Sequence, residues 1–232
     1  MNVMLGVRDK VVVIVGASGM TGKALAYTFA QNRAHTYFAG GDKKSLEDIS
    51  AAIREKNFTA TPIEADISGE GGAKKIVGAI SERHSQIDTL VFNLQAEISK
   101  DQASHMKSIE AFVKASVPLL KRSRAASIIS IAGCREPKQP DGGHDNPITG
   151  LTKRLAAGLL QYGIRANCIF SPEAEMEFNP DNHILAGRTL GENKTNPLDI
   201  ANLALFFAMD DSFWINGQWI VVDGGLCLAA KV

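Results

Sequence analysis

Seven short runs rich in β-branched residues recur along this chain, and most are separated by longer stretches with apolar residues at three- and four-residue spacing. The runs are VVVIVG (11–16), HTYFAG (35–40), TATPIEAD (59–66), DTLVFN (88–93), SIISIAG (127–133), IRANCIF (164–170) and QWIVVDGG (218–225). Between them lie helical patterns such as Leu25, Phe29 and Ala30, or Ile109, Phe112, Val113 and Leu120. Parallel strands need a crossover connection, which is usually a helix, and strands that are apolar throughout are buried on both faces. The expected fold is therefore α/β, a doubly wound parallel sheet of about seven strands. With 232 residues, 45% of them hydrophobic, no repeat and no linker-like tract, the chain is expected to form a single domain over 1–232.

Charge narrows the range of partners. Lysine plus arginine and aspartate plus glutamate stand at 25 each, so no overall field would hold the chain on nucleic acid or on an acidic membrane. The expected partners are small molecules or proteins. Cys134, Cys168 and Cys227 are odd in number and lack metal-ligand spacing, which reads as reduced thiols and points to no metal site. The N-terminal MNVMLGVRDK has no apolar core of signal-peptide length, and no later run approaches the ~20 apolar residues that span a bilayer. A soluble cytoplasmic protein is expected.

The first motif with chemical content is VGASGMTGKALA, which follows the first strand and opens the first helix with glycines at 16, 19 and 22. Residues without a Cβ let a strand turn sharply into a helix and let the backbone approach a pyrophosphate, whose charge then sits at the helix's positive end. A dinucleotide site is expected there.

From this point the chain resembles the short-chain dehydrogenase/reductase family over nearly its whole length. IDTLVFNLQ (87–95) is similar to that family's IDxLVNNAG, YGIRANCIFSP (162–172) to YGIRVNxxxPG, and FWINGQWIVVDGG (213–225) to FITGQxxxVDGG. PLDIANLALFFA (197–208) precedes the last strand as in the family. The resemblance implies a Rossmann-like sheet with NADP or NAD lying across the C-terminal strand ends. It implies that Gly16, Ser18, Gly19, Thr21 and Gly22 surround the phosphates, that Asp66 and Ile67 contact the adenine, and that Asn93 marks the fourth strand's end near the ribose.

Departures begin within the glycine motif. Its rhythm is GxxGxxG, like the family's atypical and extended branches, which puts Met20 among the cofactor-binding positions where the main branch has glycine. The second strand ends in Gly40 and Gly41, where the family places an aspartate for the NAD ribose or an arginine for the NADP phosphate. No acidic residue at that point repels a phosphate, Asp42 could shift inward, and Lys43 and Lys44 could reach a 2′-phosphate, so the weak preference is for NADP. An exposed start to the second helix accounts for at least one of those lysines equally well.

The family's catalytic set is a serine after the fifth strand, a tyrosine and lysine in YxxxK, and an asparagine in the preceding helix. Here SIISIAG puts Ala132 and Gly133 at the serines, and ungapped counting from Asn167 puts Asp141 at the tyrosine and Asp145 at the lysine. His105 falls near the asparagine. The chain has three tyrosines, Tyr27, Tyr37 and Tyr162, and all belong to other segments. Lys153 lies two helical turns too late, ~12 Å along the axis. Asn146 followed by Pro147 reads as an N-cap and first-position proline, so a helix should start there, leaving 141–145 as loop.

His144, with Asp145 to orient it and Asp141 upstream, is the remaining candidate proton donor; a solvated, turn-favouring loop is the plainer account. Past Pro172 the expected substrate loop, about 173–196, carries Glu173, Glu175, Glu177 and Asp181, which would tend to repel anions. Three readings stay open: an NAD(P)-dependent oxidoreductase with a non-standard active site, a non-catalytic dinucleotide-binding pseudoenzyme, and a scaffold turned to non-redox chemistry. The resemblance also implies a homodimer or homotetramer, for which MKSIEAFVKASVPLL and GLCLAAKV are apolar enough.

Overall fold

In the computed structural model, which describes residues 6–67, 71–95, 102–133, 146–172, 178–179 and 195–226, seven strands and six α-helices follow the alternation read from the sequence. The strands are β1 (Val11–Val15), β2 (His35–Gly40), β3 (Ala60–Glu64), β4 (Thr89–Asn93), β5 (Ser127–Gly133), β6 (Arg165–Ser171) and β7 (Trp219–Val221). The helices are α1 (Gly19–Gln31), α2 (Lys43–Glu55), α3 (Gly72–Ser81), α4 (Gln102–Leu120), α5 (Pro147–Leu159) and α6 (Pro197–Ala208). All pairings are parallel, in the order β3-β2-β1-β4-β5-β6-β7.

Period-2 alternation divides the core. Val11, Val13 and Val15 of β1 join a cluster with Ile76 and Ile80 of α3, Phe112 of α4 and Leu151 of α5. Val12 and Ile14 face the other way, onto Leu25 and Phe29 of α1, Ile49 of α2 and Ala204 of α6. Both sheet faces are thus covered, which is why the central strands read as unbroken apolar runs. Strand β3, at the sheet edge, is mostly half-exposed and tolerates Pro62.

Two boundaries depend on particular residues. Helix α5 begins at Pro147, and the side chain of its N-cap Asn146 accepts from the Ile148 amide at 2.9 Å, as the Asn-Pro pair leads one to expect. At the other end of the chain, β7 stops at Val221, whereas the apolar run suggests continuation to 225. The reason is local: the Asp223 side chain accepts from the Gly225 amide at 2.9 Å, and Gly224 and Gly225 have φ of 62° and 87°, so the backbone turns out of the sheet.

Strand β6 opens with a buried cation. Arg165 is 4% exposed and donates through Nη2 to the Phe207 carbonyl at 2.9 Å, and through Nη1 to the carbonyls of Ser212 at 3.0 Å and Ile215 at 3.4 Å. Phe207 lies in the last turn of α6, so the guanidinium sits at the negative end of that helix and ties it to the segment leading into β7.

Candidate dinucleotide site

The strand order reverses between β1 and β4, and the glycine motif lies at that switch point. After β1 the chain turns at Gly16, with φ of 76°, while the amides of Gly16 and Ala17 both donate to the Ala39 carbonyl of β2 at 3.1 and 3.0 Å. A Cβ on Gly16 would run into the Asn93 carbonyl at the end of β4. One on Gly22 would lie 2.6 Å from the Ala17 Cα and closer still to its carbonyl group, so α1 can begin against the strand only if this residue has no side chain. Gly19, with φ of 83° and open space around it, needs only its backbone freedom.

Ser18 is the N-cap of α1 but makes no side-chain capping bond, and the first turn carries no acidic residue. The opening amides of the helix therefore receive no cap from Ser18, the condition under which a helix start receives an anion. Met20, the second residue of the helix, is 42% exposed.

Asn93 closes the floor of the crevice. Its Nδ2 donates to the Gly16 carbonyl at 2.9 Å, fixing the amide, while its Oδ1 is buried with no hydrogen-bond partner among the described residues. The side chain belongs to a residue only 7% exposed. A buried acceptor left without a donor carries a free-energy cost that a ligand hydroxyl would relieve.

The end nearest β2 is shaped by small residues. A Cβ on Gly40 would lie 3.2 Å from Ser18 Oγ, and one on Gly41 would lie 4.0 Å from the Asp66 Cβ, so Gly40 and Gly41 open the space bordered by Ser18 and Asp66. Asp66 is exposed and Ile67 half-buried at the tip of the β3 segment. Asp42 has not shifted inward. It caps α2, accepting from the amides of Lys44 at 3.2 Å and Ser45 at 3.3 Å and from the Ser45 hydroxyl, and that hydroxyl bond is the main reason its carboxyl lies below the ordinary range. Lys43 is exposed and pairs loosely with Glu47 at 3.9 Å.

On the far side, β5 ends in Ala132 and Gly133, with no hydroxyl at either position. All three tyrosines of the chain are placed. Tyr27 is buried in α1 against Phe58 and Phe178, Tyr37 in β2 hydrogen-bonds His84 at 2.9 Å, and Tyr162 carries Lys121 over its ring at 4.0 Å. Lys153, on α5, sits over the Trp219 ring at 4.9 Å. His105 is half-buried on α4. His144, Asp145 and Asp141 lie outside the described residues, as do Glu173, Glu175, Glu177 and Asp181. Among the described residues no group of three or more His, Cys, Asp or Glu side chains is arranged to hold a metal ion, and no helix is long and apolar enough to cross a membrane.

One residue of this site escapes a reading by motif. Gln95, just past β4, accepts from Thr21 Oγ1 at 2.7 Å and donates through Nε2 to the Pro172 carbonyl at 3.2 Å. The available signal was a glutamine beneath the last glycine of the family's IDxLVNNAG.

Residues 16–227 match the family model described as enoyl-(acyl carrier protein) reductase. Secoisolariciresinol dehydrogenase of Forsythia intermedia is 25% identical over 96% of this chain and 91% of its own length. The 3-oxoacyl-(acyl-carrier-protein) reductase of Chlamydia pneumoniae is 27% identical over 94% of this chain and 96% of its own. Among solved structures, the apo glucose dehydrogenase of Caenorhabditis elegans superposes with a TM-score of 0.78 at 25% identity, covering 96% of this chain and 99% of that one. A short-chain dehydrogenase/reductase of Burkholderia xenovorans gives 0.78 at 22% identity over 96% and 98%. With the motifs, the parallel seven-stranded sheet and these matches in agreement, the chain belongs to the short-chain dehydrogenase/reductase family of NAD(P)-using oxidoreductases.

Proposed function

We propose that this chain is an NAD(P)-dependent oxidoreductase with a non-standard active site, and that it prefers NADP. The observation that carries the reading is the junction of Gly16 with Asn93: a glycine cradle that any Cβ would block, beside a buried Asn93 Oδ1 lacking a donor, at the foot of a helix with no side-chain cap. The residues present fit the group. The start of α1 would take the phosphates and Asn93 Oδ1 a ribose hydroxyl, while Asp66 and Ile67 would border the adenine. A bound nicotinamide nucleotide supplies the hydride.

Preference for NADP is supported by Gly40 and Gly41, which leave the end of β2 open, and by Asp42, whose carboxylate is spent on capping α2. Lys44, on the first turn of that helix, is the cation that a 2′-phosphate would meet.

What sets this chain apart is the proton. Ala132 and Gly133 replace hydroxyls, and every tyrosine is engaged elsewhere, so the family's phenol acid has no stand-in among them. His144, or a group on the substrate itself, would supply the proton. Losing one positioned acid costs about 10²- to 10⁴-fold in rate. Against a typical kcat near 10 s⁻¹, NADPH-dependent reduction of simple ketones and aldehydes is expected at ~0.001 to 0.1 s⁻¹. Following NADPH absorbance across a broad carbonyl panel tests this. Turnover of ordinary speed would show that an efficient acid is present after all. The relatives are named for secoisolariciresinol, 3-oxoacyl-(acyl-carrier-protein) and glucose, so they favour no single substrate.

On the same reading we propose a cytoplasmic protein that forms a homodimer or homotetramer. Trp214, 94% exposed in the segment that leads to the sheet-edge strand β7, is suited to such contact.

A further inference from the structure

The side chain of Gln95 spans the crevice. Its Oε1 is held by Thr21 Oγ1 in the first turn of α1, and its Nε2 by the Pro172 carbonyl immediately after β6. In the sheet order, β4 and β5 stand between those two anchors. The backbone of Gln95 also borders β5, since a Cβ on Gly133 would lie 4.0 Å from its carbonyl oxygen. One amide thus joins the helix that receives phosphates to the strand ends beyond it. If the proposed function is right, on which this inference rests, a dinucleotide lies along the same line. Its adenosine half stays on the β2 side of Thr21, and its nicotinamide half must cross toward β5 and β6.

We propose that Gln95 is a latch across the nicotinamide half of the crevice, and that it sets which nucleotides this chain retains. With both hydrogen bonds made, the adenosine-diphosphate portion finds its site open, while the nicotinamide riboside finds the amide in its way. Binding of the whole dinucleotide breaks both bonds, so its apparent affinity falls by the fraction of molecules unlatched. Two good intramolecular hydrogen bonds together make that fraction about one in ten or less. The wild-type chain should therefore hold an adenosine-diphosphate fragment nearly as tightly as the complete cofactor. Gln95 is here a specificity-determining residue, acting by what it excludes. Its φ is not in the left-handed region, so shorter side chains fit its backbone without strain.

Calorimetric titration of the full chain with NADPH, NADH, ADP and adenosine 2′,5′-diphosphate tests the latch, comparing wild type with Gln95→Ala and Gln95→Asn. Asparagine keeps the amide but is one methylene short of bridging both anchors. In both variants, dinucleotide binding should tighten about tenfold, with the fragments changing less than twofold. Retained fragment binding with dinucleotide affinity unchanged or weakened would overturn the latch, and so would equal tightening of fragments and dinucleotides. If no ligand binds any of the three proteins, the dinucleotide reading fails, and the latch with it.

Discussion

Gly22→Ala should leave little or no natively folded protein. The added methyl would lie 2.6 Å from the Ala17 Cα and nearer still to the Ala17 carbonyl group, and none of these atoms can move aside by a rotamer change. Ala17 is itself buried, and its amide is bonded to the Ala39 carbonyl of β2 at 3.0 Å, so the strand-to-helix turn cannot yield without disturbing the β1–β2 pairing. Helix α1 is buried on most of its circumference, from Thr21 through Ala30, which leaves it no direction in which to retreat. A loss above ~4 kcal/mol is expected, at the extreme of single-residue effects. Gly19→Ala is the control. It meets no atom within 4 Å and suffers only an unfavourable φ of 83°, for about 1–3 kcal/mol. Chemical denaturation of the two variants side by side separates a steric role from a conformational one. Equal effects would show that close approach of the backbone at Gly22 is not what the fold requires.

The second large effect is expected at Arg165. Its guanidinium is bonded to three backbone carbonyls, and among the described residues no carboxylate is a hydrogen-bond partner of it. The Phe207 carbonyl also receives the hydroxyls of Ser127 at 2.8 Å and Ser212 at 3.1 Å, so one oxygen at the end of α6 joins β5, β6 and the loop before β7. Arg165→Met keeps the volume but removes the charged donor from all three carbonyls, leaving Ser212 with the Ile215 amide at 2.9 Å, Ile215 with Asn167 Nδ2 at 2.8 Å and Phe207 with the two serine hydroxyls. Bonds to charged groups contribute about 1.5–3 kcal/mol each, and burial of the cation offsets part of that. The net loss should be about 3–5 kcal/mol, or roughly 10 °C in Tm for a chain of this size. Arg165→Lys retains the charge without the fork and should fall between the two. A methionine variant as stable as the wild type would mean that the carbonyls rearrange to other donors.

Much of this architecture could be read from residue order because its causes are local or periodic. The strands are apolar on both faces since the sheet is covered on both, and period-2 and period-3.6 patterns record that directly. The same holds for the glycines at 16, 19 and 22 and for the Asn146–Pro147 helix start, where chemistry within a few residues decides the conformation. Strand β7 is shorter than its apolar run because the turn made by Asp223 with Gly224 and Gly225 competes with it. Gln95 and Phe207 were invisible for another reason. The Gln95 bridge joins positions 74 and 77 residues away, and the Arg165 bond to Phe207 spans 42, so nothing near either residue announces its partner. Asp42 shows the limit of reading a charge by its place in a motif. At the end of β2 it invites a ribose, yet the adjacent helix claims its carboxylate as a cap.

On the proposed function, a redox nucleotide is held where α1 meets the end of β4. Hydrogen–deuterium exchange of the whole chain, with and without saturating NADPH, tests it most directly. Protection is expected at the amides of residues 17–23 and 93–95, with little change on the opposite rim around Arg8 and Arg124. Unchanged exchange at the start of α1, or protection found only elsewhere, would contradict it.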